Sequence, residues 1–181
     1  MTALPSTSAR TGAEPASTTH QHAVTFLATL TAGTPTEPPR FFYVWDRGPK
    51  LTTSFGIQNT TSVEAATAWS ETPTNRYVSA AMGSRLLGRY ERLTNDTAAG
   101  LFGVFADIDV AGPAHAKPNL PPTLDAAYDL VELCGAAPTM VVSSGHGLQP
   151  WWLFERPLVF TTPEDAAAAA ELMLLWIVKR L

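Results

Sequence analysis

Two short segments of this 181-residue chain hold the residue types that chemistry needs. The first is Asp107-Ile108-Asp109, closing the apolar run LFGVFADIDV from Leu101 to Val110. Side chains two apart on a strand share a face. Ala106, Ile108 and Val110 are therefore expected on one side, with Phe105, Asp107 and Asp109 on the other. Two carboxylates at that spacing, ~7 Å apart at the backbone, repel each other unless a cation lies between them. Hard ions such as Mg²⁺ or Mn²⁺ take oxygen ligands and share phosphate oxygens with one or two carboxylates. The plainer alternative is a strand that simply ends at a polar surface.

The second segment is Ser143-Ser144-Gly145-His146-Gly147. Glycines on both sides of His146 let a backbone approach a ligand and leave the imidazole uncovered. Its plain reading is a hairpin turn. Ser144 is not in a G-x-S-x-G elbow and no acid lies near it in sequence, so serine-hydrolase chemistry is not indicated. Arg76, Arg85, Arg89 and Arg92 face only Glu91 within residues 76–92, a local positive excess inside a chain of net charge −4. Their near-helical recurrence reads either as a solvated helix face or as a nucleic-acid contact. His20 and His22 are a weak metal candidate in a Ser/Thr/Ala-rich stretch.

Several elements must position these groups. Residues 1–22 lack apolar periodicity and read as a disordered tail, with the folded domain running over 23–181. A short helix is expected over 23–30, a strand over 41–45 and a Ser62-capped helix over 62–71, followed by Pro73. A further strand is expected over 76–82. The second half reads as strand (101–110), proline-rich loop, helix, strand (138–142), turn, strand (151–154) and helix (163–180). Thr123 caps the first of those helices, whose Leu124, Ala127, Tyr128 and Val131 share a face, and Gly135 closes it. Thr162-Pro163-Glu164-Asp165 starts the second. That helix is apolar nearly all round from Leu172 to Val178 and expects cover on more than one side. The helical crossover makes strands 101–110 and 138–142 parallel, so Asp107, Asp109 and His146 gather at one end of the sheet.

Composition bounds the class. Hydrophobic residues make up 45% and charged residues 15%, the range of a globular domain. The single Cys134 excludes an internal disulfide and a cysteine zinc site. No basic-then-apolar leader is visible, and the most apolar stretch is shorter than the ~20 residues a membrane helix needs. The expectation is a soluble cytoplasmic domain with no membrane partner.

Taken together, Phe102 to Arg156 resembles the catalytic core of the archaeo-eukaryotic primase superfamily, in particular the primase-polymerase domains of plasmids and phages. FADIDV matches the first motif of that family and SSGHGLQPWWLF the second, with Trp151-Trp152 opening the strand after the histidine. The resemblance implies an N-terminal α/β unit packed on a β-α-β-β palm sheet related to the RNA-recognition fold. It implies a DNA primase/polymerase making or extending primers on single-stranded DNA from nucleoside triphosphates. Carried over by position, Asp107 and Asp109 hold Mg²⁺ or Mn²⁺, and His146 with Ser144 contacts the phosphates of the incoming nucleotide. Backbone amides of the turn, at Gly145 and Gly147, suit a triphosphate. Relatives carry a third acid on a strand beyond the last helix. No such strand follows residue 180 in this sequence, so the expectation is either a domain cut before its third motif, which the apolar stretch 173–178 favours, or a shortened relative. A replicative helicase is the partner the family suggests, and the chain carries no G-x-x-x-x-G-K-[ST] of its own.

Two other readings compete. A D-x-D glycosyltransferase also uses Mn²⁺ to hold a nucleotide diphosphate, but leaves the S-x-H turn without a role. A non-catalytic module of RNA-recognition type needs exposed aromatics on its sheet, for which Trp151 and Trp152 are the candidates.

Overall fold

A computed structural model describes residues 16–70, 75–115 and 117–180. It is an α+β arrangement built on one eight-stranded sheet with four helices. In chain order these are α1 (Ala16–Thr31), β1 (Phe41–Asp46), β2 (Leu51–Gly56), α2 (Thr60–Ser70), β3 (Arg76–Val78) and β4 (Ala81–Gly83). They are followed by β5 (Ala98–Phe105), β6 (Ile108–Asp109), α3 (Leu124–Leu133), β7 (Met140–Ser143), β8 (Gly147–Val159) and α4 (Pro163–Arg180). The strands run β2-β1-β4-β5-β8-β6, with β3 also on β1 and β7 also on β8, and every pairing is antiparallel.

β8 is the centre of the second half. It pairs β5 through Phe105↔Trp151 and β7 through Met140↔Trp151, one on each side. β5 and β7 therefore run in the same direction, as a helical crossover requires, but β8 lies between them. β4 lies on the far edge of β5 (Ala81↔Leu101), which joins the N-terminal strands to the same sheet.

Strand alternation then sorts side chains to two cores. Phe42, Val44, Met82, Phe102 and Trp151 pack with Leu27 and Leu30 of α1 and Ala66 of α2. Val104, Ala106, Ile108, Leu148 and Trp152 pack on the other face with Ala127 and Val131 of α3 and Met173 and Trp176 of α4. Phe102 and Val104 fall on opposite faces although two residues apart, because the register shifts between Leu101 and Gly103. Trp151 and Trp152 are 3% and 7% exposed, one in each core. Neither offers a stacking surface, which removes the feature on which a binding module of RNA-recognition type was expected to rest.

Several expectations change. The helix taken to start at residue 23 starts at Ala16, so residues 16–22 belong to α1 rather than to a tail; residues 1–15 lie outside the described residues. α2 is capped by Asn59, whose Oδ1 accepts from Thr61 N at 3.1 Å, while Ser62 is buried inside the first turn. Pro73 lies outside the described residues. The strand expected over 76–82 is two short ones, β3 and β4, broken at Ser79 and Ala80. Thr123 caps α3 as expected, accepting from Ala126 N at 3.2 Å. α4 covers the sheet through Met173 and Trp176, yet Leu174 remains 64% exposed. Among the described residues no helix is long and apolar enough to cross a membrane.

Candidate functional site

The D-x-D and S-x-H segments meet at one end of β8. Ile108 and Asp109 of β6 pair with Leu148 and Gly147, the first residues of β8. Val110 N donates to His146 O at 2.9 Å, fastening the D-x-D segment to the turn itself. Ala106, Ile108 and Val110 join the α3/α4 core while Phe105 joins the opposite core, so Asp107 and Asp109 fall on the Phe105 face, as the period of two requires.

The turn closes by local hydrogen bonds. Ser144 N donates to Gly147 O at 3.0 Å, and His146 N donates to Ser144 Oγ at 3.3 Å. Gly145 adopts φ +83°, a conformation that L side chains rarely adopt. A Cβ on Gly147 would stand 2.2 Å from Ile108 O. Both glycines are therefore required by the chain's own backbone, one for its φ and one for the close approach of β6. His146 and Ser144 are exposed at the tip.

Each aspartate has a partner. Gln149 Nε2 donates to Asp107 Oδ1 at 3.2 Å. His115 Nε2 lies 3.4 Å from Asp109 Oδ1, and its ring is 6.2 Å from that of His146 at 72°. His115 is held by a tight turn in which Gly112 N donates to His115 O at 3.2 Å and His115 N to Gly112 O at 3.0 Å. Sequence reasoning missed His115 and Gln149. Gln149 is two residues from Gly147 on a strand, which places it on the same face, a usable signal. His115 gave none, because the loop over 111–122 has no periodicity to fix where it returns.

Among the described residues no three His, Cys, Asp or Glu side chains converge on a metal position. The donor chemistry at this end, two carboxylates on one face with one exposed and one half-buried, does not make a protein cage. It suits a hard divalent ion that keeps waters and completes its shell with phosphate oxygens. His20 and His22, both on α1, are two residues apart and so do not share a face of the helix.

The arginines are not on a helix. Residues 84–94 form an irregular segment across the sheet, tied by Thr52 N to Arg89 O at 2.8 Å and by Tyr43 Oη to Arg85 O at 2.7 Å. Arg76 Nε pairs with Asp46 at 3.5 Å, and Arg85 forms a two-armed pair with Glu91. That pairing, with the Gly88 amide, holds the Glu91 carboxyl down at about 2. Arg89 lies 5.7 Å from the Tyr90 ring and Arg92 stacks 4.2 Å above Trp45. None of the four adjoins the D-x-D end through any of these contacts.

The chain was compared with protein-family models, curated proteins and solved structures, and none matches.

Proposed function

We propose that this chain is a metal-dependent nucleotidyltransferase of the primase-polymerase kind, adding nucleotides to primers on single-stranded DNA. One observation carries the reading. Two segments about forty residues apart in sequence, the D-x-D and the S-x-H, are brought to one sheet end by the spatial order β5-β8-β7. That order, with α3 crossing over, supports the β-α-β-β palm of RNA-recognition type that the sequence suggests, here packed beside α1, α2 and β1–β4.

In this reading Asp107 and Asp109 hold Mg²⁺ or Mn²⁺. Held there, such an ion would supply charge stabilisation for the attack of a 3′-hydroxyl on an α-phosphate, with pyrophosphate as the leaving group. Gln149 orients Asp107 and His115 orients Asp109, limiting the rotamers each carboxylate samples. His146, exposed beside Ser144 on a turn pinned by Gly145 and Gly147, meets the triphosphate. Transfer then depends mainly on positioning and charge stabilisation, with little covalent work for the protein.

The test is titration of a fluorescent deoxynucleoside triphosphate with Mn²⁺ or with EDTA. The wild type is expected to bind only with metal, and Asp107→Asn/Asp109→Asn and His146→Ala to lose at least about tenfold, or ~1.4 kcal/mol. Metal-independent binding equal in all three proteins removes the proposal. Primer extension on a single-stranded template then separates transfer from binding alone.

A further inference from the structure

The sheet face that carries α3 and α4 is not covered evenly. Among the described residues, the irregular segment 84–94 crosses it over β1, β3 and β4, and between these strands and α4 lies a cleft of about 1340 Å³. Its walls include Arg40, Trp45, Tyr77, Arg85, Arg92 and Thr162. Its lining reaches Ala98 and Ala99, at the N-terminal end of β5. Eight residues of strand separate Ala99 from Asp107, roughly 25 Å, so this is a different place from the D-x-D end.

Arg40 is the informative residue. It is 7% exposed, its Nε has no hydrogen-bond partner, and the hydrogen bond its side chain makes among the described residues is a 3.5 Å one from Nη1 to Pro39 O. No carboxylate pairs with it among the described residues. A buried guanidinium without a counter-charge is costly, and natural cores seldom keep one without a reason. A phosphate provides both the missing charge and the planar acceptor pair that a guanidinium matches. Arg85 is satisfied by Glu91. Asp96 is the one acid among the described residues that line the cleft. With Arg85 paired, the positive charge of the lining sits at Arg40 and Arg92, against the single carboxylate of Asp96. Beside Arg92, Trp45 and Tyr77 lie 5.6 Å apart, with Tyr77 45% exposed.

We infer that this cleft binds a strand of single-stranded nucleic acid, with phosphates on Arg40 and Arg92 and a base against Tyr77. Cation-lined grooves with aromatic platforms hold unpaired strands in this way. The cleft exceeds the roughly 300–1,000 Å³ typical of small-molecule pockets, which favours a polymer over a lone nucleotide. The inference goes beyond the proposed function, since the cleft is on the α3/α4 face while Asp107 and Asp109 are on the opposite one; Arg76 and Arg89 lie off the cleft. Its carrying observation does not depend on nucleotidyl transfer.

The test is fluorescence anisotropy of labelled oligothymidylate in EDTA, where metal-dependent nucleotide binding makes no contribution, so failure of either reading is seen separately. Arg92→Ala is expected to weaken binding about threefold or more and to lower the salt slope by about 0.7. Tyr77→Ala is expected to weaken it about fivefold or more. Arg40→Met is expected to weaken binding while melting at or above the wild-type temperature, because it removes an unpaired buried charge. Arg156→Ala, an exposed arginine away from the cleft, is the charge-matched control. The inference fails if Arg156→Ala weakens binding as much as Arg92→Ala, or if Arg40→Met melts well below wild type. It fails equally if the wild type does not bind, or if thymidine monophosphate displaces the oligomer at equal nucleotide concentration.

Discussion

Gly147→Ala tests the link between the turn and the D-x-D segment most directly. The new Cβ would be 2.2 Å from Ile108 O and 3.1 Å from Asp109 Cα, both backbone atoms of β6. An ordinary carbon–oxygen contact is about 3.3 Å, so β6 must withdraw by about 1 Å. β6 is only two residues long and is held by its pairing with Leu148 and Gly147 and by the Val110–His146 hydrogen bond. It cannot withdraw without loosening those bonds. Overpacking of this kind costs about 1–3 kcal/mol, and 2 kcal/mol lowers the melting temperature of a domain this size by about 4–8 °C. The same shift carries Asp109 with it, and a 1 Å displacement of a catalytic group costs about 10²-fold in rate. Thermal denaturation and Mn²⁺-dependent nucleotide binding, measured on the same preparation, are the assays. Gly112→Ala is the control, since a Cβ there meets nothing within 4 Å, and it should stay within about 0.5 kcal/mol of wild type. Gly145→Ala should cost about 1–2 kcal/mol for its φ of +83°, and Gly145→Asn less. If Gly147→Ala melts with Gly112→Ala and binds nucleotide normally, the packing of β6 on β8 is misdescribed.

Three further outcomes are expected. His115→Ala should weaken metal-dependent nucleotide binding severalfold while leaving the melting temperature within about 2 °C, an effect of under about 0.5 kcal/mol for a half-buried loop residue; unchanged nucleotide binding would remove its role in orienting Asp109. Tyr43→Phe leaves Arg85 O without its donor and should cost about 1 kcal/mol in urea denaturation, with no change there excluding the 2.7 Å hydrogen bond. Glu91 titrates at about 2 when folded against an ordinary 4.5, so its pairing stabilises the protein above pH 4.5 and that contribution is lost as pH falls towards 2. Melting curves of Glu91→Gln should therefore vary less with pH than wild type between 4.5 and 2, and converge with it at the acid end. Parallel pH profiles would contradict the pairing with Arg85. The pair is solvent-exposed, so the effect should also shrink with added salt.

What the sequence disclosed was set by periodicity and capping. The alternation Phe105/Asp107/Asp109 against Ala106/Ile108/Val110 is readable because a strand repeats every two residues, and Thr123 and Thr162-Pro163 mark helix starts by chemistry that is local. What it concealed depends on pairing. The strand expected over 151–154 spans 147–159 and runs through Pro150 and Pro157. Both prolines sit where the β8 ladder is interrupted on its β5/β6 side: Pro150, which stays paired with Val141 of β7, lies between the β5 and β6 pairings, and Pro157 lies beside the register shift at Leu101–Gly103. A missing N–H costs little there, and no local rule reveals where a neighbouring strand pauses. The arginine spacing misled for a related reason. Residues 84–94 follow the sheet surface through Leu87 N to Ser54 Oγ and Thr52 N to Arg89 O, bonds to a strand more than thirty residues earlier. Arg40 carried no signal at all, since an arginine between Pro39 and Phe41 looks like a polar strand edge until its burial is known.

The placement of β8 also governs how the chain must fold. Its partners are remote: Gly100 meets Val159 and Phe105 meets Trp151, with α3 and β7 between them in sequence. Loop closure over those distances comes before any reward from burying Trp151 and Trp152, so the central strand enters late. Until it does, β5 exposes one unpaired edge and both cores lack a tryptophan, a state suited to edge-to-edge association. Refolding on the millisecond-to-second scale of other sheet-dominated chains is expected, with aggregation rising with protein concentration during that interval. Conditions that favour soluble protein are those that shorten the wait for one strand.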